Sequence, residues 1–245
     1  MHGFRRWIIF GCYSLLIGVP VQLHGQGVEV SGKILMRAPS QSTGKNRQDP
    51  SSTENVVVWL APLKPGAVTS MTPTHQAYYR LVQKNKMFTP HLLVVPTGSQ
   101  VEFPNHDPFF HNVFSLFNGR RFDLGLYESG TSRSVRFDRE GVSYIFCNIH
   151  PEMGAVVLAL STPYYGISGE DGVVILHNVP AGSYRLNIWS ETGQPDNSTE
   201  PQRIVQVSTE AVHLGNITLQ AKADPLANHK NKFGEDYRPN PDPKY

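Results

Sequence analysis

Short runs of β-branched and aromatic residues, each closed by proline or glycine, recur along most of this sequence. Val28–Met36, Asn55–Leu60 and Ser99–Pro104 are three such runs, and apolar and polar residues alternate in the first and the third. Alternation with a period of two is typical of strands that bury one face. No long stretch repeats apolar residues at the 3.6-residue period of a helix, and 21 glycines and 19 prolines supply frequent turns. The sequence therefore predicts an all-β fold.

The first 25 residues have the features of an export signal. Arg5 and Arg6 precede an apolar run from Trp7 to Val19, and a small residue, Gly25, follows. A single membrane anchor is the alternative, but this run is shorter than the roughly 20 residues that a bilayer requires. We expect a periplasmic or secreted mature chain without a membrane span. Whether export follows the general or the twin-arginine route stays open.

Loss of residues 1–25 changes two counts that bear on function. The Lys and Arg total falls from 22 to 20, which equals the 20 Asp and Glu, and a neutral chain argues against nucleic acid or acidic membranes as partners. Cys12 is also removed, so Cys147 becomes the only cysteine. It cannot form an internal disulfide, and a free thiol in an oxidising compartment needs protection. Metal ligation is one protection, and burial as a structural thiol is the alternative.

The surroundings of Cys147 favour the metal. His150 and Met153 follow it at intervals of three residues, and His111 lies upstream. A thiolate, two imidazoles and a thioether form a sulfur and nitrogen donor set that suits copper in both oxidation states. One cysteine and two histidines in a plane, with a weak axial methionine, make an electron-transfer site.

Two of these ligands have alternatives in the sequence. His91 and His106 compete with His111, which we prefer because a strand-like Val113 and Phe114 follow it. Met153 could instead fill core space, and an axial position also accepts Gln or a backbone oxygen.

A family resemblance rests on the same residues. Val101–Asn105, His111–Phe114 and the Cys147-x-x-His150-x-x-Met153 spacing are similar to the copper-binding signature of the cupredoxins. The plastocyanin and amicyanin group is the nearest in pattern, and the short ligand loop with a proline after the second histidine resembles amicyanin. The similarity covers about residues 77–160. It implies a Greek-key β-sandwich that holds one type 1 copper ion.

The resemblance also implies roles for residues around the metal. Asn112 would tie the two ligand loops together and hydrogen-bond near the sulfur. Asn105 would fix a loop in a comparable way, or would simply form a turn. The outer ring edge of His150 would face solvent within an apolar surface where redox partner proteins dock. The residues framing that edge would be Pro108, Phe109, Phe110 and Pro151.

A second resemblance concerns the parts of the chain on either side. The turn Pro180–Tyr184 (Pro-Ala-Gly-Ser-Tyr) resembles that of the carboxypeptidase regulatory-like, or transthyretin-like, β-sandwich. That family opens with strands like those of residues 28–63, so we interpret 28–63 and 166–220 as one discontinuous accessory sandwich. The early strands could instead edge the copper-binding sandwich. Residues 221–245 are polar and proline-rich, and we expect them to be disordered.

Several functions remain to be compared. We expect an electron-transfer protein and not an enzyme, and a copper-binding or copper-delivery module is the alternative. A multicopper oxidase or nitrite reductase would use His-x-His pairs, and none of the 10 histidines forms one. A copper monooxygenase would need a mature N-terminal histidine, which only cleavage before His24 would expose. A purely adhesive double sandwich leaves the ligand spacing unexplained.

Overall fold

A computed structural model describes residues 27–37, 52–64, 78–116, 119–195, 203–226 and 229–237. The expected export signal of residues 1–25 lies outside these ranges. Every regular element in the described residues is a β-strand, which confirms the all-β prediction. Across these ranges, no helical segment has the length and apolar character that a membrane crossing would require.

The strands of the described residues follow one another without helical connections. In chain order they are β1 (Val28–Arg37), β2 (Val57–Pro62), β3 (Tyr79–Arg80), β4 (Val82–Lys84), β5 (Met87–Thr89), β6 (Leu92–Pro96), β7 (Ser99–Pro104), β8 (His111–Ser115), β9 (Phe122–Tyr127), β10 (Ser132–Phe137), β11 (Gly141–Cys147), β12 (Gly154–Leu160), β13 (Tyr165–Ile167), β14 (Val173–Val179), β15 (Gly182–Trp189), β16 (Gly193–Pro195), β17 (Ile204–Val207) and β18 (Val212–Ala221).

One pair of sheets joins strands from both ends of the chain, and we call it the flanking sandwich. Its sheets have the strand orders β14-β1-β18-β16 and β13-β2-β15-β17. Alternate residues such as Val30 and Ile34 of β1 are fully buried between them. The core combines residues of β1 and β2 with residues of β14, β15, β17 and β18, so early and late strands share one apolar interior. Its resemblance to the carboxypeptidase regulatory-like family stays a prediction.

The remaining strands form the central sandwich, which carries the predicted ligands. Its sheets have the orders β10-β7-β3 and β6-β12-β11-β8-β9, with the hairpin β4-β5 beside them. The core is built from residues in and next to strands β4 to β12, and it includes Cys147 and Met153. In the larger sheet β8 is antiparallel to β11, with Cys147 opposite Val113. This register brings the start of β8 to the end of β11 and sets the site at one end of the sandwich.

Strand β9 is a feature that the sequence analysis missed. It pairs with β8 through an irregular register between Asn112 and Phe114. Gly125, inside β9, has a φ of 69°, a left-handed conformation that glycine adopts without steric cost. The irregularity interrupts the alternation of buried and exposed residues, and that alternation is the signal by which strands are predicted from sequence.

The C-terminal residues also differ from the expectation of disorder. The ring of His229 stacks on Phe146 with centroids 4.0 Å apart, and the Tyr237 hydroxyl donates a hydrogen bond of 2.8 Å to the carbonyl of Cys147. Residues 229–237 therefore lie against the central sandwich. Their polar composition gives no sign of this, because the contacts are made with residues more than 80 positions earlier in the chain.

Candidate metal centre

Three predicted ligands converge at the end of the central sandwich. His111 begins β8, Cys147 ends β11, and His150 lies in the loop between β11 and β12. The sulfur of Cys147 is 3.5 Å from Nδ1 of His111 and 3.6 Å from Nδ1 of His150. All three residues are buried, with exposed fractions of 0%, 0% and 4%. Among the described residues this is the only group of such side chains whose donor atoms lie within 4.8 Å of one another.

The spacing of the three donor atoms fits a bound metal ion. A metal about 2.3 Å from sulfur and about 2.0–2.1 Å from each nitrogen would separate sulfur and nitrogen by about 3.5–3.8 Å at tetrahedral to trigonal angles. The two observed separations, 3.5 and 3.6 Å, fall at the short end of this range. A single thiol proton could bind only one of the two nitrogens. One thiolate with two imidazoles is a donor set that suits copper.

His111 is held by a carboxylate that the sequence analysis did not single out. Oδ2 of Asp107 lies 2.9 Å from Nε2 of His111, and Asp107 also accepts backbone hydrogen bonds from Asn85 and Lys86. Burial alone would raise the pKa of Asp107, but the bonds from Lys86, His111 and Asn85 lower it below its usual value. An ionised Asp107 accepts the Nε2 proton, so the Nδ1 lone pair of His111 points toward the sulfur. The one feature of the sequence that could have indicated this pair is a carboxylate four residues before the histidine.

The protonation states of the donors suit metal binding. Burial lowers the pKa of His111, although Asp107 opposes this, and burial also lowers the pKa of His150. Both imidazoles are therefore neutral near pH 7. Burial raises the pKa of the Cys147 thiol, against backbone hydrogen bonds from Asn112, Ile149 and His150 that lower it. A metal must then displace the thiol proton when it binds.

Backbone hydrogen bonds close the loop that carries His150 and Met153. The N–H of Met153 donates to the carbonyl of His150 at 3.1 Å, and the N–H of Cys147 donates to the carbonyl of Met153 at 3.3 Å. Met153 is fully buried in the same core cluster as Cys147. The side chain of Met153 therefore belongs to the core that also contains the sulfur of Cys147, and its role as axial ligand stays a prediction.

Asn112 joins the two ligand-bearing segments through its backbone. Its carbonyl accepts the N–H of Asn148 at 2.8 Å, while its side chain donates to Asp123 at 2.6 Å. The sequence predicted that Asn112 links the two ligand loops. Its backbone carbonyl makes this link, whereas its side chain is turned toward β9.

Asn105 fixes the loop that leads to His111. It is fully buried; its Nδ2 donates to the carbonyl of Phe109 at 2.8 Å, and its Oδ1 accepts the N–H of Asp107 at 3.0 Å.

The two histidines that competed with His111 in the sequence lie outside the donor cluster. His106 is exposed, and the half-exposed His91 is hydrogen-bonded to Glu191.

The prediction of a solvent-facing edge on His150 is wrong. Nε2 of His150 is buried and has no hydrogen-bond partner among the described residues. The ring of Phe109 lies 5.3 Å from that of His150 and 5.4 Å from that of His111. The reason is the loop fixed by Asn105, which places Phe109 against both imidazoles and leaves Phe110 50% exposed.

Comparison with known proteins gives partial structural matches. No protein-family model and no curated protein matches the chain. A purple cupredoxin from Nitrosopumilus maritimus is 23% identical and overlaps 34% of this chain and 99% of its own, with a TM-score of 0.31. A copper-containing nitrite reductase from Thermus scotoductus is 22% identical over 40% of this chain and 25% of its own, with a TM-score of 0.34. Amicyanin from Paracoccus versutus is 17% identical over 36% of this chain and 86% of its own, with a TM-score of 0.31.

Proposed function

We propose that this chain is an exported electron-transfer protein with one type 1 copper ion, held by His111, Cys147, His150 and, axially, Met153. One observation carries the proposal: two imidazole Nδ1 atoms lie within 3.6 Å of a single buried sulfur. That donor set is the one found in blue-copper electron-transfer sites.

Hydrogen bonds from side chains and backbone around the donors would keep the geometry of the site constant. Asp107 orients His111, the Asn112 carbonyl holds Asn148, and the backbone bonds of Met153 close the loop. Bound copper would supply a one-electron couple. A buried site that rearranges little between oxidation states lowers the barrier to electron transfer. Because no substrate bond has to break, we propose that the protein is not an enzyme.

Copper delivery is the second function to consider, and the burial of the site argues against it. Delivery requires an incoming ligand to reach the metal, yet the three donor residues are at most 4% exposed. Ligand exchange would therefore need the loop between Cys147 and Gly154 to open. Electron transfer needs only close approach, because electrons can cross the packed side chains.

Partners would approach through the apolar residues outside His150. Phe110 is 50% exposed and Ile149 is 38% exposed, and Pro108 and Pro151 are exposed beside them. We propose that a redox partner protein contacts this surface. Since Nε2 of His150 is buried, the electron would pass through the layer formed by Phe109 as well as the imidazole.

The experiment that tests the function is copper titration of the mature protein with visible and electron paramagnetic spectroscopy. We expect an intense thiolate-to-copper band in the oxidised form, which Cys147→Ser abolishes. The control is His106→Gln, an exposed histidine of the same segment, which should retain the band. A wild-type protein that binds Cu(II) and stays colourless would refute electron transfer. Slow self-exchange with ready copper transfer to an acceptor would favour delivery.

A further inference from the structure

The C-terminal segment of residues 229–237, which we call the C-terminal strap, contacts the ligand loop at several points. The hydroxyl of Tyr237 donates to the Cys147 carbonyl at 2.8 Å. The backbone N–H of Lys232 donates to Oδ1 of Asn148 at 2.9 Å. These two bonds reach the ligand Cys147 and its neighbour, the first residue of the loop.

A second set of contacts links the strap to the strands that carry the ligands. The ammonium of Lys232 lies 2.7 Å from Oδ2 of Asp123, and Oδ1 of Asp123 accepts the side-chain hydrogen bond of Asn112. The ring of His229 stacks on Phe146, the residue before Cys147, at 4.0 Å and 17°. The strap therefore contacts β11 directly, and it is linked to β8 through Asp123 of β9, which is hydrogen-bonded to Asn112.

The preceding residues lead the chain from the flanking sandwich to this position. After β18, the N–H of Lys222 donates to the carbonyl of Thr192. Leu226 then lies against Gly154, where an added Cβ would be only 3.1 Å from Cδ1 of Leu226. Gly154 is the residue that follows Met153, so both ends of the ligand loop are contacted by the C-terminal part of the chain.

We propose that the C-terminal strap is a positioning element of the metal centre, which holds the Cys147–Asn148 peptide in place and keeps the ligand loop closed over the sulfur. The contacts of Tyr237 and Lys232 carry this proposal, because they fix the backbone on which the sulfur and the loop depend. The description of the site as a copper centre rests on the function proposed above. The closure of the ligand loop by the strap does not depend on that function, because the contacts concern the loop whether or not a metal is bound.

The thiol itself provides a direct measurement. Cys147 is fully buried, so a thiol reagent such as iodoacetamide can react only when the loop opens. A hydrogen bond contributes about 1 kcal/mol net, which corresponds to about a fivefold change in the opening equilibrium. In the metal-free protein, Tyr237→Phe should therefore alkylate about fivefold faster than wild type. A chain truncated after residue 228, which lacks the strap, should react faster still.

A matched control separates this effect from general destabilisation. Tyr184→Phe removes a tyrosine hydroxyl that donates to the Pro180 carbonyl at 2.9 Å in the flanking sandwich. It is the same chemical change far from the ligand loop, and its alkylation rate should equal that of wild type. Circular dichroism of each variant establishes that it is folded. If the truncated chain does not fold, the alkylation rate of Tyr237→Phe alone tests the role of the strap.

The copper-loaded protein gives a second measurement. The O–H dipole of Tyr237 directs its positive end at Cys147, which favours the reduced state, so Tyr237→Phe should lower the reduction potential while Tyr184→Phe leaves it unchanged. Wild-type alkylation rates in both Tyr237→Phe and the truncated chain, or a wild-type potential in Tyr237→Phe, would overturn the proposal. A protein that refuses copper would refute the proposed function, and the alkylation rates would still decide the role of the strap.

Discussion

Nε2 of His111 lies 2.9 Å from Oδ2 of Asp107, and both side chains are almost completely withdrawn from solvent. Asp107 is fixed in turn by the backbone N–H groups of Asn85 and Lys86 in the turn between β4 and β5. A hairpin that supplies no ligand thus holds the carboxylate that accepts the Nε2 proton of His111. Such outer partners of a ligand imidazole set its orientation and its basicity.

Asp107→Asn should weaken copper binding by about 10- to 100-fold, the usual effect of losing such a partner. The amide can still accept one hydrogen bond, but it no longer carries the charge that stabilises the Nε2 proton. Competition with a copper chelator measures the affinity. Asp138→Asn, which removes a surface carboxylate paired with Arg120, should leave it unchanged. Equal affinities in the two variants would contradict the role of Asp107.

Substitution of Met153 tests the axial ligand. Met153→Leu keeps the volume of a fully buried side chain and should cost less than about 1.5 kcal/mol of stability. Without the thioether donor the oxidised ion is stabilised less, so we expect a higher reduction potential by voltammetry with the blue band retained. Met153→Ala should cost about 2–5 kcal/mol, because it leaves a cavity. An unchanged potential in Met153→Leu would show that the sulfur is not a ligand.

Removal of the Phe109 ring should expose the outer edge of His150. Since Nε2 is buried and Phe109 packs beside the imidazole, Phe109→Ala should speed electron exchange with a small oxidant such as ferricyanide in stopped-flow measurements. Phe110→Ala serves as the comparison, because that ring is half exposed and its loss should change the rate less. A slower exchange in Phe109→Ala would indicate that the ring conducts the electron and does not obstruct it.

The pH dependence of stability should report on the contact between the two sandwiches. The hydrogen bond to Glu191 raises the pKa of His91 above its usual value, against the effect of burial. A raised pKa means that the folded state holds the proton more tightly. The stabilisation is therefore complete below the unfolded pKa of about 6.5 and is lost as the pH rises through the folded pKa.

Urea midpoints measured from pH 5.5 to 8.5 test this directly. The difference between wild type and His91→Gln should be largest at the acidic end and should narrow as the pH rises. His177→Gln alters a more exposed pair with Glu29 on the surface of the flanking sandwich and serves as the control. A difference in urea midpoint between wild type and His91→Gln that grows with pH would contradict a raised pKa of His91 in the folded state.

Local patterns in the chain were enough to predict that Cys147 and His150 lie together. Cys147, His150 and Met153 lie within seven residues, so any turn between two strands keeps them close, and their donor chemistry indicated copper. The structure places His111, and neither His91 nor His106, beside Cys147 and His150; the sequence signal for His111 was the strand-like run that follows it. Strand β9 was missed, since Gly125 breaks the alternation on which strand prediction depends.

The sequence by itself determined an all-β chain and the order of its donor residues, because alternation and donor chemistry are properties of neighbouring residues. Only the tertiary structure decided that Asp107 holds His111, that Phe109 packs against a buried His150, and that Tyr237 reaches the carbonyl of Cys147. These contacts depend on sheet register and on how loops fold back. No pattern within a single segment records where a residue 90 positions away will lie.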